Sequence, residues 1–335
     1  MKKLILLLIL FFSSHIVLAQ NSVIDTPEAY RDSTQGFNFE INYWFNLHHF
    51  LWIEAFMATE MDSTIIDRKL SVESKRILNR ALDYYKENLA HLDPRRDHYM
   101  SEFKSWITTE GKQLTSVPLK FQEHAEVLKE VSDVYKEFFW PIQKETSEEV
   151  LNENIELVRN TEAKFIERMT KLTRQFWQFE RIKVDITYFG MASDWNPEHR
   201  AYTTIFPTHV VMKTEGEQEV KGNWLEILFH ESTHHLILGS SYFVGGTIQD
   251  ITEVLGIEAP RQLDHAYHFY LTGELTKQIL EEEGISYDVT YMQREVVFSR
   301  YYSALDKYLK LYMNREMTLE ETTRKIIAEL MNNQP

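Results

Sequence analysis

Two histidines four residues apart, His230 and His234, bracket Glu231 in the segment Trp224-Leu-Glu-Ile-Leu-Phe-His-Glu-Ser-Thr-His-His235. In a helix, residues four apart share one face a turn from each other, so both imidazoles can bind one metal ion. A carboxylate directly after the first imidazole then stands beside that ion, where it can accept a proton from a water that the ion polarises. The chemistry to expect is metal-assisted hydrolysis. Leu225, Leu228, Phe229, Leu236 and Ile237 make the other faces apolar. The helix is therefore expected to be buried, and buried ionisable side chains need partners or a metal. His235 points about a hundred degrees round the helix from His234, away from the ion. Glu226, one turn before His230, is placed either to hold an imidazole or to meet a lysine.

A catalytic zinc ion usually has three protein ligands and one open position. Three residues are candidates for the third: Glu253, His265 and His268. The two histidines lie in a helical run that follows Pro260, Leu263-Asp-His-Ala-Tyr-His-Phe-Tyr-Leu-Thr-Gly-Glu274. Asp264 and Glu274 are placed to orient a ligating imidazole. Tyr202, Tyr267 and Tyr270 are candidate donors to an oxyanion. His48 and His49, in the aromatic run Tyr43-Trp-Phe-Asn-Leu-His-His-Phe-Leu-Trp52, read as hydrogen-bonded core residues or as part of the site wall.

These segments resemble a group of secreted, zincin-like HExxH peptidases. In that group an L-F-H-E-x-x-H helix is followed by a Trp-His-Ala stretch running into Phe-Tyr-Thr-x-Gly-Glu. The chain has Ile227-Leu-Phe-His-Glu-Ser-Thr-His234, then Asp264-His-Ala-Tyr-His-Phe-Tyr-Leu-Thr-Gly-Glu274, so Asp264 replaces the Trp and Leu271 displaces Thr272. Ala201-Tyr-Thr-Thr and Asn46-Leu-His-His-Phe50 extend the resemblance thinly over most of the chain. It implies zinc held by His230, His234 and His265, with Glu231 as general base and a peptide or other small hydrolysable substrate. Glu253 stands eighteen residues beyond His234, a spacing similar to that of gluzincin aminopeptidases, but Asp250-Ile-Thr-Glu-Val lacks their Asn-Glu-Gly context. A non-proteolytic metal-binding or ligand-binding protein on a zincin scaffold is the alternative, and a purely structural helical protein a third.

The elements that must position these residues are mainly helical. From Phe37 to Arg181 apolar residues recur at spacings of three and four, as in Trp44, Leu47, His48, Leu51 and Ala55, and Asp93-Pro94 stops one helix. After Arg181 the pattern changes. Lys183 to Phe189 alternates like a strand, and Ala201 to Lys213 is rich in Thr, Val, Ile and aromatics, with Pro207 marking an edge or a turn between two short strands. Gly190 to Arg200 reads as a connecting loop. The expected class is mainly α (α+β): a helical N-terminal half, a small antiparallel sheet and a zincin-type helical catalytic region. The expected organisation is a signal peptide over 1–19, a helical region over 20–181 and a metal-binding region over 182–335, the last two either separate or one integrated domain.

Composition bounds the rest. With 335 residues, 43% hydrophobic, 13% aromatic and no Cys, the chain is long enough to bury a core without disulfides. Thiol nucleophiles, Cys-ligated zinc and iron–sulfur clusters are excluded, which leaves His, Asp and Glu as strong metal ligands. A net charge of −15 with no basic patch argues against nucleic acid. Lys2 and Lys3, the apolar Leu4 to Phe12 and Val17-Leu-Ala19 form a secretory signal, predicting a secreted or periplasmic protein with no stable membrane span after cleavage.

Overall fold

A computed structural model describes residues 29–60, 70–193, 196–205, 208–216 and 222–332. The expected signal peptide, 1–19, lies outside the described residues. The chain opens with β1 (Tyr30–Ser33) and β2 (Phe37–Ile41), then runs through five helices: α1 (Tyr43–Glu60), α2 (Val72–Asn88), α3 (His98–Ile107), α4 (Gln122–Phe138) and α5 (Trp140–Thr173). A strand-rich stretch follows, with β3 (Ile182–Thr187), β4 (Met191–Ser193), β5 (Asn196–Arg200), β6 (Tyr202–Ile205) and β7 (Thr208–Lys213). Helices α6 (Asn223–Ile237), α7 (Phe243–Leu255), α8 (Leu263–Glu282), α9 (Tyr291–Arg294), α10 (Ser299–Met313) and α11 (Leu319–Asn332) complete it. The mainly helical α+β class is as expected. Among the described residues no helix is long and apolar enough to cross a membrane.

Three local expectations are corrected. The helical pattern begins at Tyr43 rather than Phe37, because Phe37–Ile41 is a strand pairing in parallel with β3. Phe-Asn-Phe-Glu-Ile is too short an apolar run for periodicity to separate strand from helix. The sheet is mixed rather than antiparallel, in the order β1-β2-β3-β7-β6, with β2, β3 and β7 mutually parallel and the outer pairs antiparallel. The helices α1–α5 form the crossover from β2 to β3, so the sheet draws strands from both sides of residue 182. The expected loop Gly190 to Arg200 instead contains a second two-stranded hairpin, β4 with β5. At the other junction Ile205 of β6 pairs with Thr208 of β7, and Pro207, expected at an edge or turn, lies outside the described residues.

Helix α1 is apolar on all sides, and residues 43–56 are buried throughout, as expected of a central helix. Ser71 and Asp97 cap α2 and α3, each accepting a backbone N–H from the first turn at 3.0 Å. Helix α6 packs between the sheet and the surrounding helices. Trp224 meets Phe39 of β2 with ring centres 6.2 Å apart, and Phe229 stacks on Phe165 of α5 at 4.0 Å. Two glycines permit this packing. Gly222 precedes α6 at φ 91, and Gly273 lets α8 approach α6 so closely that a Cβ there would lie 2.8 Å from a Glu226 carboxylate oxygen.

Candidate metal centre

The contact between α6 and α8 brings His230, His234, His265 and His268 together, with one ligand atom of each within 4.8 Å of all the others. This cluster can bind a metal ion. Nε2 of His230 and Nε2 of His265 face each other at 3.3 Å. With metal–nitrogen bonds of about 2.0–2.1 Å, tetrahedral angles and ring nitrogens about 1.1 Å from their ring centres, nitrogens on one ion stand roughly 3.3 Å apart and their ring centres roughly 5.2 Å apart. The three centre-to-centre distances among His230, His234 and His265 are 4.8, 5.3 and 5.2 Å.

His268 departs from that spacing. Its ring centre is 4.0 Å from His230, 4.7 Å from His234 and 6.1 Å from His265, and its plane lies within 21° of the His230 plane. The His230 and His265 planes are also close to parallel, at 28°, so centre-to-centre spacing rather than ring plane separates the two candidates. Thr233 holds His268 in place. The Thr233 hydroxyl donates to the Phe229 carbonyl at 2.7 Å, so toward His268 Nε2, at 2.9 Å, it presents a lone pair and accepts that N–H. Phe269 stacks on His230 at 3.9 Å.

Nδ1 of His230 and Nδ1 of His268 are buried without hydrogen-bond partners. Burial, reinforced by the neighbouring imidazoles, holds His230, His234 and His268 well below the ordinary histidine range, so they are neutral near pH 7, the form that binds metal. An all-imidazole donor set of this spacing suits a borderline divalent ion. The Glu231 carboxylate lies 3.5 Å from His234 Nε2, and both side chains are 13% exposed.

The other sequence candidates separate by where they lie. Glu253 is away from the cluster, on α7, where it accepts the Gln249 amide at 2.8 Å. Asp264 accepts the backbone N–H groups of Gly239 and of His265, a helix-start arrangement, and Glu274 lies among Tyr270, Lys277, Asp306 and Lys310. Neither orients an imidazole. Glu226 meets neither a histidine nor a lysine. It accepts from the Tyr287 hydroxyl at 2.5 Å and from the Tyr291 backbone N–H at 2.9 Å, and so anchors the segment that leads to Phe298. The Phe298 ring centre is 5.4 Å from that of His265. Burial, outweighing these bonds, pushes the Glu226 carboxyl up to about 7. His235 packs between Trp177 and Phe179, off the cluster.

Tyr267 and Tyr270 donate to Thr323 and Asp306, while Tyr202 of β6 meets His49. His49 Nδ1 lies 3.0 Å from the Gly190 carbonyl and so must donate to it. Nε2 then accepts the Tyr202 hydroxyl proton at 3.1 Å, so that proton is already engaged. His48 turns toward Tyr85 and His124 instead.

Two cationic residues escaped the sequence reading. Lys104 of α3, 2% exposed, donates to Thr204 Oγ1 at 2.9 Å and to the His209 carbonyl at 3.1 Å, with its Nζ 5.1 Å from the Tyr202 ring centre. Burial pushes this ammonium down to about 7, against the opposing pull of the Asp185 and Glu231 carboxylates. The signal was present. Met100, Phe103 and Ile107 form an apolar stripe at helical spacing, and Lys104 sits on it. Arg95, in the loop before α3, is near enough for its charge to act on His234 and Tyr202, and nothing in its spacing marks it. Comparisons of the chain with protein-family models, with characterised proteins and with solved structures return no match.

Proposed function

We propose that this protein is a zinc-dependent metallohydrolase, most simply a peptidase of the zincin type, exported from the cytoplasm. The observation that carries the reading is the spacing of His230, His234 and His265, which suits three imidazoles on one tetrahedral ion, with the Glu231 carboxylate 3.5 Å from His234 Nε2. Bound zinc supplies Lewis acidity, polarising a water and the scissile carbonyl. Glu231 accepts the proton of the attacking water and returns it to the leaving nitrogen. Thr233 and Phe269 fix the surrounding rings, which keeps the ligand geometry from reorganising. The outer strand β6 borders α6, and an extended peptide can pair with such an edge.

Replacing Glu231 with Gln tests this. The variant is expected to retain zinc at one ion per chain while losing cleavage of a peptide library; full activity in Glu231→Gln would refute the assignment. A second reading, metal binding without hydrolysis, is favoured by how closed the cluster is: His230 is 2% exposed and His268 0%. Stoichiometric zinc with no Glu231-dependent cleavage would select it.

A further inference from the structure

A cavity of about 190 Å³ draws its lining, among the described residues, from neither α6 nor α8. Four aromatic rings line it: Phe50 of α1, Phe139 at the junction of α4 and α5, and Tyr188 and Phe189 directly after β3. Gln143 of α5 and Glu215, two residues beyond the end of β7, add its polar side chains. The cavity therefore lies at the carboxyl ends of β3 and β7, adjacent parallel strands, the end of such a sheet at which ligands are commonly held. Hydrogen bonds fix this wall in advance. The Asn46 side chain, 2% exposed, accepts the Tyr188 backbone N–H at 2.9 Å and donates to the Ile186 carbonyl at 3.0 Å. The Glu215 backbone N–H donates to the Tyr188 carbonyl at 3.0 Å, which ties the segments after β3 and β7 together. The ring centres of Phe50 and Phe139 are 4.5 Å apart, and those of Tyr188 and Phe189 are 4.7 Å apart with planes at 88°. The Gln143 oxygen accepts the Tyr135 hydroxyl at 2.5 Å, and Glu215 is the one charged side chain of the described lining.

Several aromatic rings around one carboxylate make a selective environment. Ring quadrupoles attract a cation, and a carboxylate supplies its counter-charge. A quaternary ammonium has no N–H to satisfy, and its methyl groups bury apolar surface against the same rings. We propose that this cavity binds a quaternary ammonium headgroup, with Phe50, Phe139, Tyr188 and Phe189 as its walls and Glu215 as its counter-charge. The volume equals that of about six waters at roughly 30 Å³ each, which suits a trimethylammonium group on a short arm. The shared chemistry is trimethylammonium, carried either by a free small molecule such as choline or by a methylated lysine of a peptide. The proposal uses no residue of the His cluster and stands apart from the hydrolase reading.

Calorimetry on the full-length protein tests this with three probes: choline, N-acetyl-Nε-trimethyllysine amide, and 3,3-dimethylbutan-1-ol, which has the shape of choline without its charge. One or both cations are expected to bind about 10- to 100-fold more tightly than the neutral alcohol, the range of a desolvated cation–π contact joined by a counter-charge. Tighter binding of choline identifies a free headgroup, and tighter binding of the lysine derivative a peptide side chain. Glu215→Gln keeps the shape of the wall and is expected to lower the preference for the cations about 3- to 10-fold. Tyr188→Leu lowers it by a similar factor, whereas Tyr188→Phe, which keeps the ring, retains it. Circular dichroism matching the parent confirms that each variant is folded, and Glu215→Gln, a near-isosteric change at a half-buried position, carries the test if Tyr188→Leu does not fold. Equal affinity for the alcohol and the cations, no binding of any probe at millimolar concentration, or a preference unchanged in folded Glu215→Gln would each overturn the proposal. Glu231→Gln is expected to bind the probes as the wild type does, so failure of the hydrolase reading and failure of this one are read separately.

Discussion

Glu226 gives a quantitative handle on how the site is held. Its carboxyl is 1% exposed, and burial raises it from an ordinary 4.5 to about 7 even though Tyr287, the Tyr291 backbone and Arg294 favour the charged form. A folded-state value raised above the unfolded one means that the folded protein binds the proton more tightly. The associated stability is therefore fully present below pH 4.5 and is lost as the pH rises through about 7. A rise of that size corresponds to about 3 kcal/mol. Glu226→Gln keeps the shape and an acceptor for Tyr287 but cannot ionise. In metal-free protein, urea unfolding between pH 4.5 and 8 is expected to show wild-type stability falling by about 3 kcal/mol relative to the Gln variant. A difference that stays flat with pH, or that moves in favour of wild type as pH rises, would refute the claim that burial of the Glu226 carboxyl outweighs its partners.

Other outcomes follow from single contacts. His265→Ala is expected to abolish stoichiometric zinc, whereas His268→Ala, which removes a stacked neighbour rather than a ligand, weakens zinc by about 10- to 100-fold at most; metal analysis after dialysis distinguishes them. Gly273→Ala places a Cβ 2.8 Å from Glu226 and 2.9 Å from Thr290, so it is expected to destabilise the protein by about 1–3 kcal/mol in thermal or urea unfolding. Thr233→Val leaves the His268 Nε2–H buried without an acceptor and is expected to cost about 1–3 kcal/mol.

Much of the site is legible in the chain because its chemistry is local. His230, Glu231 and His234 share one helix face by spacing alone, and His265 and His268 repeat the same logic on α8. What spacing cannot choose is which of those two faces the ion, because that depends on ring positions set by packing: Thr233 and His230 turn His268 into a stack, while Phe298 lies edge-on to His265. The fold class was readable from helical periodicity, but the parallel pairing of Phe37–Ile41 with Ile182–Thr187 was not, since 140 mostly helical residues intervene and short apolar runs suit either element. Lys104 was readable as a charge on an apolar stripe.

Zinc-edge X-ray absorption on the purified, dialysed protein tests the central claim most directly. The account predicts one zinc per chain, with three imidazole nitrogens at about 2.0–2.1 Å and one lighter, oxygen-type ligand. Protein that carries no stoichiometric zinc, or whose zinc shell is unchanged in His265→Ala, would contradict it.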